Sequence, residues 1–223
     1  MRSLPHSFDP FNFSQHRHCN QFLRFLCFCG ETASCQAILQ AWYPGQAGGK
    51  AVADVLFGEY NPSGKLPVTF YKNVNQLPDF EDYNMTGRTY RYFEGEPLYA
   101  FGHGLSYTTY TYGEVQAPAT AKTDETIVVS VPVTNSGNMD GDEIVQLYLK
   151  KKGDEEGPIK TLRAFKRVHI PAGQTVNVEL ELTPSQLEWW NPATNSMNTH
   201  AGNYEVMVGG NSKDVKSVEI ALQ

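Results

Sequence analysis

Hydrophobic and polar residues alternate along much of the second half of the chain. The alternation recurs in five short segments, which are residues 127–134, 145–150, 176–182, 204–208 and 218–222. Clusters of Gly, Asn, Asp and Pro, which favour turns, separate most of them. A period of two predicts a strand with one buried face, and several such strands without helical intervals indicate an antiparallel β-sandwich. We therefore expect an all-β antiparallel sandwich over residues 107–223.

A different pattern occupies residues 34–106. The apolar run 37–43 is typical of a short buried strand. Residues 46–57 repeat apolar side chains every three or four positions, which predicts a helix, and Gly58 stands where a C-cap glycine is common. A second apolar run at 66–71 predicts another strand. Strand, helix and strand in this order are typical of a βαβ-like unit, so we expect the remnant of an α/β domain here.

The chain begins with a segment that follows neither pattern. Residues 1–33 mix Phe, His, Cys and Pro without a helical or alternating period, so we expect an aberrant or disordered N-terminal segment. A shift of reading frame and a divergent tail would each explain it. Arg24 interrupts the one apolar stretch, and a small-residue cleavage site is missing, so we expect no signal peptide here. Cys27 and Cys29 are too close in sequence for an ordinary zinc site, and we expect no metal.

Composition argues against some classes of binding partner and leaves others open. The net charge of −6 opposes binding to nucleic acid or to an anionic membrane surface. No apolar run approaches the roughly 18 residues that a membrane span needs. The 12 Tyr, 12 Phe and 3 Trp suit a protein that covers the apolar faces of sugars, and they suit an ordinary β-rich core as well. Both interpretations of the aromatic residues stay open at this point.

Two stretches carry the most specific signal. They are residues 41–70 (AWYPGQAGGKAVADVLFGEYNPSGKLPVTF) and 87–109 (GRTYRYFEGEPLYAFGHGLSYTT). Both resemble the closing part of the second domain of family 3 glycoside hydrolases, of the β-xylosidase or β-glucosidase type. Three further segments, 131–137, 141–148 and 201–209, resemble the fibronectin type III-like module that follows this domain in many members. The resemblance implies an α/β remnant followed by an immunoglobulin-like, fibronectin type III-like β-sandwich.

This resemblance implies a reaction and also an incomplete site. Family 3 enzymes are exo-acting retaining glycosidases, which release single sugars from plant-wall oligosaccharides without a cofactor; β-xylosidase is the first expectation here and β-glucosidase the next. Retaining hydrolysis needs two carboxyl groups about 5–5.5 Å apart. In this family the nucleophile belongs to an upstream barrel, and in members with the Gly-Arg-Thr-Tyr-Arg segment the acid/base lies in an upstream Glu-x-Glu-x-x-Asp-Arg-like loop. We find neither in the chain and expect no catalytic residue and no activity of the chain alone.

A second class of function stays open. The chain would then be a non-catalytic structural or carbohydrate-contact module, in which the sandwich is a spacer or binds polysaccharide. For the parent enzyme the expected partners are an oligosaccharide substrate and the upstream catalytic barrel domain of the intact protein. Members of the family are often periplasmic or secreted, but this sequence does not indicate a compartment.

The loop 79–93 is the segment that we expect nearest to substrate. Arg88, Tyr90 and Arg91 are its predicted substrate-binding residues, because a guanidinium can donate to sugar hydroxyls and a tyrosine ring can stack on a pyranose. In the alternative, alternation places Tyr90 and Tyr92 in a core. The arginines would then pair with nearby carboxylates, which are Asp82, Glu94 and Glu96.

Three other positions invite a functional interpretation. His103 stands between two glycines at the junction of the two regions, where we expect it to satisfy buried carbonyls as a connector. Trp42 is expected in a core. Trp189 and Trp190 either form an exposed pair that contacts polysaccharide or pack against the edge of a sheet or a neighbouring domain.

Overall fold

The computed structural model describes residues 18–20 and 37–223, except residue 192. The described part contains two α-helices, α1 (Gly48–Phe57) and α2 (Thr89–Tyr92), and short 3₁₀ turns at Val74–Gln76 and Pro184–Leu187. Its strands, numbered in chain order, are β1 (His18–Asn20), β2 (Ile38–Gln40), β3 (Tyr110–Tyr112), β4 (Thr120–Ala121), β5 (Ile127–Asn135), β6 (Gly141–Lys151), β7 (Thr161–Ile170), β8 (Thr175–Leu182), β9 (Trp189–Asn191), β10 (Ser196–Asn198), β11 (Gly202–Gly209) and β12 (Val215–Leu222).

The N-terminal part retains two features of the predicted α/β unit. Strands β1 and β2 pair in parallel, and α1 follows β2. Gly58 caps the helix with a φ of 81° and donates its N–H to the Val55 carbonyl, which confirms the predicted C-cap. The apolar face of this helix is only partly covered, because Ala51 and Phe57 are exposed. Trp42, expected in a core, is half-buried.

The predicted strand over 66–71 is wrong. Only Phe70 forms a β-bridge, to Tyr99. Leu66 donates its N–H to the His103 carbonyl and accepts from Gly102 N–H, so its backbone is paired with the connector. Pro67 has no N–H to donate to a ladder. The segment therefore makes two separate backbone contacts with residues 98–103. The second strand of the predicted βαβ-like unit does not form.

The C-terminal part is the predicted antiparallel sandwich. One sheet has five strands in the order β4-β12-β11-β6-β7, and the other has three in the order β3-β5-β8. All pairs are antiparallel except the short contact of β4 with β12. The β6–β7 pairing shifts register between Leu147 and Tyr148, which is a β-bulge or a related irregularity. Separately, β9 and β10 form a two-stranded ribbon.

The core lies between the two sheets and follows the alternation in the sequence. Val129, Val131 and Val133 on β5 are fully buried, and so are Val145 and Leu147 on β6. Residues on the opposite face of β5 remain partly or fully accessible, as a half-buried strand requires. This arrangement confirms the fold class, an α/β remnant followed by an antiparallel sandwich.

The predicted N-terminal segment, residues 1–33, lies outside the described residues except for β1. Within the part of the chain that the structure describes, no helix is long and apolar enough to cross a membrane.

Candidate functional site

The loop that precedes α2 is organised around one guanidinium group. Arg88 donates from Nε to the Asn84 carbonyl at 3.1 Å and from Nη2 to the carbonyls of Asp79 and Asp82, at 3.0 and 2.5 Å. Its backbone N–H donates to the Met85 carbonyl. Hydrogen bonds from a charged donor are stronger than neutral ones. Arg88 therefore fixes residues 79–88, which we call the Arg88 loop.

Two acidic side chains close turns within the Arg88 loop. Asp79 Oδ1 accepts the Glu81 N–H at 2.9 Å, and Asp82 Oδ1 accepts both the backbone N–H and the side-chain amide of Asn84. These are local side-chain-to-backbone turns, which Asp forms readily. Two large aromatic side chains of the loop are exposed. Phe80 is 94% exposed and Tyr83 is 92% exposed.

Tyr90 lies against the sandwich. Its ring stacks on Phe101 at 4.2 Å between centroids and contacts Tyr148 of β6 edge-on at 5.8 Å. Its hydroxyl accepts the backbone N–H of Leu162 on β7 at 3.1 Å. Aromatic pairs in such geometry add about 0.5–1.5 kcal/mol beyond the burial of their area. Tyr90 therefore anchors the segment that follows the Arg88 loop on the five-stranded sheet.

Arg91 also lies near the sandwich, in surroundings that differ from those of Arg88. Its carbonyl accepts the Ile159 N–H at 2.7 Å, and its guanidinium lies 5.5 Å from the ring centroid of Tyr92. Arg91 Nε is buried and has no hydrogen-bond partner in the described structure. Burial, and then the positive charge of Arg91, lower the pKa of the Arg163 guanidinium. Arg88 therefore contacts its own loop, whereas Tyr90 and Arg91 contact the sandwich.

The charges around the loop are paired differently from the alternative that the sequence allowed. Arg88 binds the carbonyl of Asp82, whereas the Asp82 carboxylate binds Asn84. Glu96 forms an exposed ion pair with Lys213 near the end of β11. The hydrogen bond and the charge of Lys213 lower the pKa of Glu96. Each of these contacts is structural.

A buried ion pair connects the two parts of the chain. Lys65 Nζ lies 3.2 Å from Glu143 Oε1, and the two side chains are only 14% and 3% exposed. Tyr112 donates its hydroxyl to the same carboxylate oxygen at 2.9 Å, while Lys65 also donates to the Gly104 carbonyl at 3.1 Å. Burial raises the pKa of Glu143, against the opposing charge of Lys65 and the hydrogen bond from Tyr112. We call this group the seam cluster.

A second chain of buried hydrogen bonds connects β6 with the loop that follows β11. Tyr148 donates to Gln146 Oε1 at 2.6 Å, and Gln146 donates from Nε2 to the Gly210 carbonyl at 2.5 Å. The Ser212 N–H donates to the Phe101 carbonyl at 2.9 Å. A buried polar network that is satisfied in this way fixes one relative arrangement of the elements it joins. Of these bonds, the one from Ser212 to Phe101 connects the sandwich with the N-terminal part.

His103 lies at the junction of the two parts, and the expected hydrogen bonds of its imidazole to buried carbonyls stay a prediction. Its ring stacks on Tyr99 at 5.1 Å, and its carbonyl accepts the Leu66 N–H. Burial and then the charge of Lys65 lower the pKa of His103. At Gly104 a Cβ atom would lie 2.1 Å from the Gly64 carbonyl oxygen, so the two backbones approach closely where only glycine fits.

The two adjacent tryptophans of β9 differ in environment. Trp189 is 7% exposed, stacks on Tyr204 and has the Arg163 guanidinium 4.4 Å from its ring centroid. Trp190 is 55% exposed and faces Met197 across the β9–β10 ribbon. One member of the pair therefore belongs to the core and the other to the surface.

Sequence reasoning missed the seam cluster, although one signal was present. Glu143 has the same phase as Gly141, Val145 and Leu147, which all face the core in the alternating pattern of β6. A carboxylate in that phase predicts a buried charge that requires a partner. Its partner, Lys65, lies 78 positions earlier (143 − 65), and no local pattern identifies it.

Comparison with known protein families matches both parts of the chain. Residues 25–107 match the model of the glycosyl hydrolase family 3 C-terminal domain. Residues 143–212 match the model of the fibronectin type III-like domain. The first match ends at the junction that holds His103 and Gly104.

Curated relatives and solved structures agree with this assignment. The chain is 55% identical over 195 residues to a xylan 1,4-β-xylosidase from Xylanibacter ruminicola, covering 86% of this chain and 22% of the relative. It is 37% identical to a periplasmic β-glucosidase from Salmonella typhimurium, covering 89% of this chain and 28% of the relative. A solved β-glucosidase from Streptomyces venezuelae in complex with D-glucose superposes with a TM-score of 0.77 at 32% identity, covering 86% and 27% of the two chains. The chain thus spans about a quarter of the length of these proteins.

Proposed function

Because the chain corresponds to the C-terminal part of a family 3 glycoside hydrolase, comprising the end of its C-terminal domain and its fibronectin type III-like domain, we propose that it is the C-terminal unit of an exo-acting retaining glycosidase. The enzyme would release single sugars from plant-wall oligosaccharides. β-Xylosidase is the favoured activity, because the relative from Xylanibacter ruminicola is 55% identical, and β-glucosidase is the next. The observation that carries the proposal is the family match over residues 25–107, which includes the loop and connector motifs.

In this proposal the chain contributes structure to the active site and leaves the reacting carboxylates to the rest of the enzyme. Three acidic side chains near the family motifs already have structural contacts: Asp79 and Asp82 close turns of the Arg88 loop, and Glu96 pairs with Lys213. Retaining hydrolysis needs a nucleophile and an acid/base on opposite sides of one bond. A carboxylate whose oxygen accepts the hydrogen bonds of its own turn is poorly suited to act as nucleophile or as acid/base. The chain alone is therefore proposed to be inactive.

The chain would contribute to catalysis by holding the Arg88 loop in one position. The seam cluster and Tyr90 attach the α/β part to the sandwich. Arg88 fixes the loop that directly precedes Tyr90. A positioning error of about 1 Å in a substrate-binding element can cost about a hundredfold in rate. The sandwich would thus act on catalysis indirectly, by fixing the position of the Arg88 loop.

The substrate contacts predicted for Arg88, Tyr90 and Arg91 remain a prediction. Their present contacts support a narrower proposal, because the Arg88 guanidinium binds loop carbonyls and the Tyr90 hydroxyl binds β7. In this narrower form the three residues hold the loop for substrate, and other side chains of the loop meet the sugar.

One observation favours a second candidate function, a non-catalytic carbohydrate-contact module. Trp190 is 55% exposed on the β9–β10 ribbon, with Met197 directly opposite. An exposed indole can cover the apolar face of a pyranose. The sandwich would then retain polysaccharide through a surface separate from the Arg88 loop.

An assay of the purified chain distinguishes the two. Under the first proposal, the chain does not hydrolyse aryl β-xylosides or aryl β-glucosides. Turnover that disappears in Glu81→Gln, Asp82→Asn, Glu94→Gln or Glu96→Gln would contradict it, because the chain would then contain its own catalytic carboxylate. Saturable retention on insoluble xylan that is lost in Trp190→Ala would support the second function.

A further inference from the structure

The residue that follows Arg88 has a backbone conformation that its side chain disfavours. In the part of the chain that the structure describes, three residues other than glycine have a positive φ, namely Trp42, Thr89 and Asn195. Asn tolerates the left-handed region, whereas a β-branched residue there is an outlier. Thr89 has a φ of 56° and is the one β-branched residue of the three. Such strain persists where the surrounding structure imposes it, and it is concentrated at functional sites.

Thr89 lies between two segments that are each held in place. Before it, the Arg88 side chain donates to three carbonyls of its own loop. After it, Tyr90 packs on Phe101 and binds β7. The backbone changes here from the extended conformation of Arg88, with φ −114° and ψ 146°, to helix α2. The φ of Thr89 therefore sets the direction of the Arg88 loop relative to the sandwich.

A buried tyrosine holds Thr89 in its strained conformation. The Tyr71 hydroxyl accepts the Thr89 N–H at 2.6 Å; Tyr71 is 7% exposed, and its ring contacts Phe93 edge-on at 5.0 Å. The other polar groups of Thr89 also have partners, because Oγ1 accepts the Arg91 N–H at 3.2 Å and the carbonyl accepts the Phe93 N–H at 2.9 Å. These three hydrogen bonds explain how the strain is maintained.

We propose that Thr89 is a positioning residue for the sugar site of the intact enzyme and that the Tyr71 hydroxyl keeps it in place. The proposal rests on the proposed function, in which the Arg88 loop meets the substrate. A glycine would adopt the same φ without strain, but it would adopt other values as readily, so the loop would lose its single orientation. Thr89 acts through the loop and does not touch the sugar.

Limited digestion of the whole chain with chymotrypsin tests the role of Tyr71. This protease cleaves after aromatic residues, and cleavage after Phe80 and Tyr83 reports the opening of the Arg88 loop. Tyr71→Phe keeps the buried ring and removes the acceptor of the Thr89 N–H. We expect cleavage at both sites to become about tenfold faster, because the loss of one buried hydrogen bond favours local opening by about that factor. Cleavage after Trp190, on the β9–β10 ribbon, should not change.

The role of Thr89 is tested in a chimera, in which the chain replaces the corresponding segment of the Xylanibacter ruminicola relative. Thr89→Gly should lower kcat/KM for an aryl β-xyloside about tenfold or more. Its thermal midpoint should stay within about 4 °C, because relief of strain offsets the added freedom of the unfolded chain. Thr89→Asn should recover most of the activity, because Asn visits the left-handed region and supplies an oxygen for the Arg91 N–H. Asn195→Gly, at a left-handed turn residue, is the matched control and should be fully active.

The possible results separate this inference from the proposed function. The inference is overturned if Tyr71→Phe leaves cleavage of the loop unchanged. It is also overturned if Thr89→Gly keeps the full kcat/KM of an active chimera, or loses activity only in proportion to a lower thermal midpoint, as a merely structural residue would. A chimera that is inactive before any substitution would contradict the proposed function, and this inference with it.

Discussion

The seam cluster gives the sharpest prediction about stability, through the substitution Lys65→Met. Methionine retains most of the volume of the aliphatic stem and removes the charge. Glu143 would then remain 3% exposed, with Tyr112 as its hydrogen-bond donor and without a counter-charge. We expect the free energy of unfolding to fall, because the variant must bury an uncompensated carboxylate or protonate it.

The expected loss of unfolding free energy in Lys65→Met follows from the burial of Lys65 and Glu143. Removing one partner of a buried ion pair costs about 3–5 kcal/mol. The pair in the seam cluster meets that description, with side chains 14% and 3% exposed. The exposed pair of Lys152 with Glu219 is the matched control, since its side chains are 40% and 68% exposed. Lys152→Met should cost no more than about 1 kcal/mol.

The loss should also depend on pH in a defined direction. The folded-state pKa of Glu143 lies above its ordinary value of 4.5, because burial disfavours the carboxylate. The stability linked to this raised pKa is complete below pH 4.5 and is lost as the pH rises through the folded-state pKa. Removing Lys65 raises that pKa further. The deficit of Lys65→Met should therefore be full at about pH 7.5 and smaller at about pH 5.

Urea unfolding of the chain and its variants at both pH values is the assay. The double variant Lys65→Met with Glu143→Gln should recover most of the loss, because a neutral amide keeps the acceptor for Tyr112 without a buried charge. A deficit below about 1 kcal/mol at pH 7.5, equal to that of Lys152→Met, would refute the reasoning. So would a deficit that does not change with pH.

Three further predictions concern the stability of the fold. Leu147→Ala should cost about 2–5 kcal/mol in urea unfolding, since Leu147 is fully buried in the core; a cost like that of the surface variant Val128→Ala would contradict this. Because burial lowers the pKa of His103, stability should decline as the pH falls below 6.5 and through the lower folded-state value, and His103→Phe should flatten that part of the profile; an unchanged profile would contradict it. Residues 107–223 alone should show one cooperative thermal transition, whereas a featureless melt would place the domain boundary elsewhere.

The sandwich was predictable from sequence because its strands face the core on one side. The valines of β5 and the apolar residues of β6 alternate, and the structure buries them in that phase. Strand β7 was not predicted. It lies at the edge of its sheet, and Lys166 interrupts the apolar phase that Leu162, Ala164, Val168 and Ile170 otherwise form, as charged residues do on edge strands.

The candidate site was less predictable because its contacts are non-local or involve the backbone. The sugar contact of Arg88 stays a prediction, whereas its side-chain contacts within the chain are three carbonyls, which have no sequence signature. The strand expected over 66–71 failed because the connector takes its backbone bonds and Pro67 cannot donate. The pairing of Lys65 with Glu143 depends on the docking of the two parts.

The central claim is that this chain is the C-terminal unit of a glycosidase of the β-xylosidase type. The most direct test is a chimera in which the chain replaces the corresponding C-terminal segment of the Xylanibacter ruminicola relative, to which it is 55% identical. The relative without that segment, and the chain alone, are the controls. The account predicts that the chimera hydrolyses an aryl β-xyloside while neither control does. A folded chimera that is no more active than the shortened relative would contradict it.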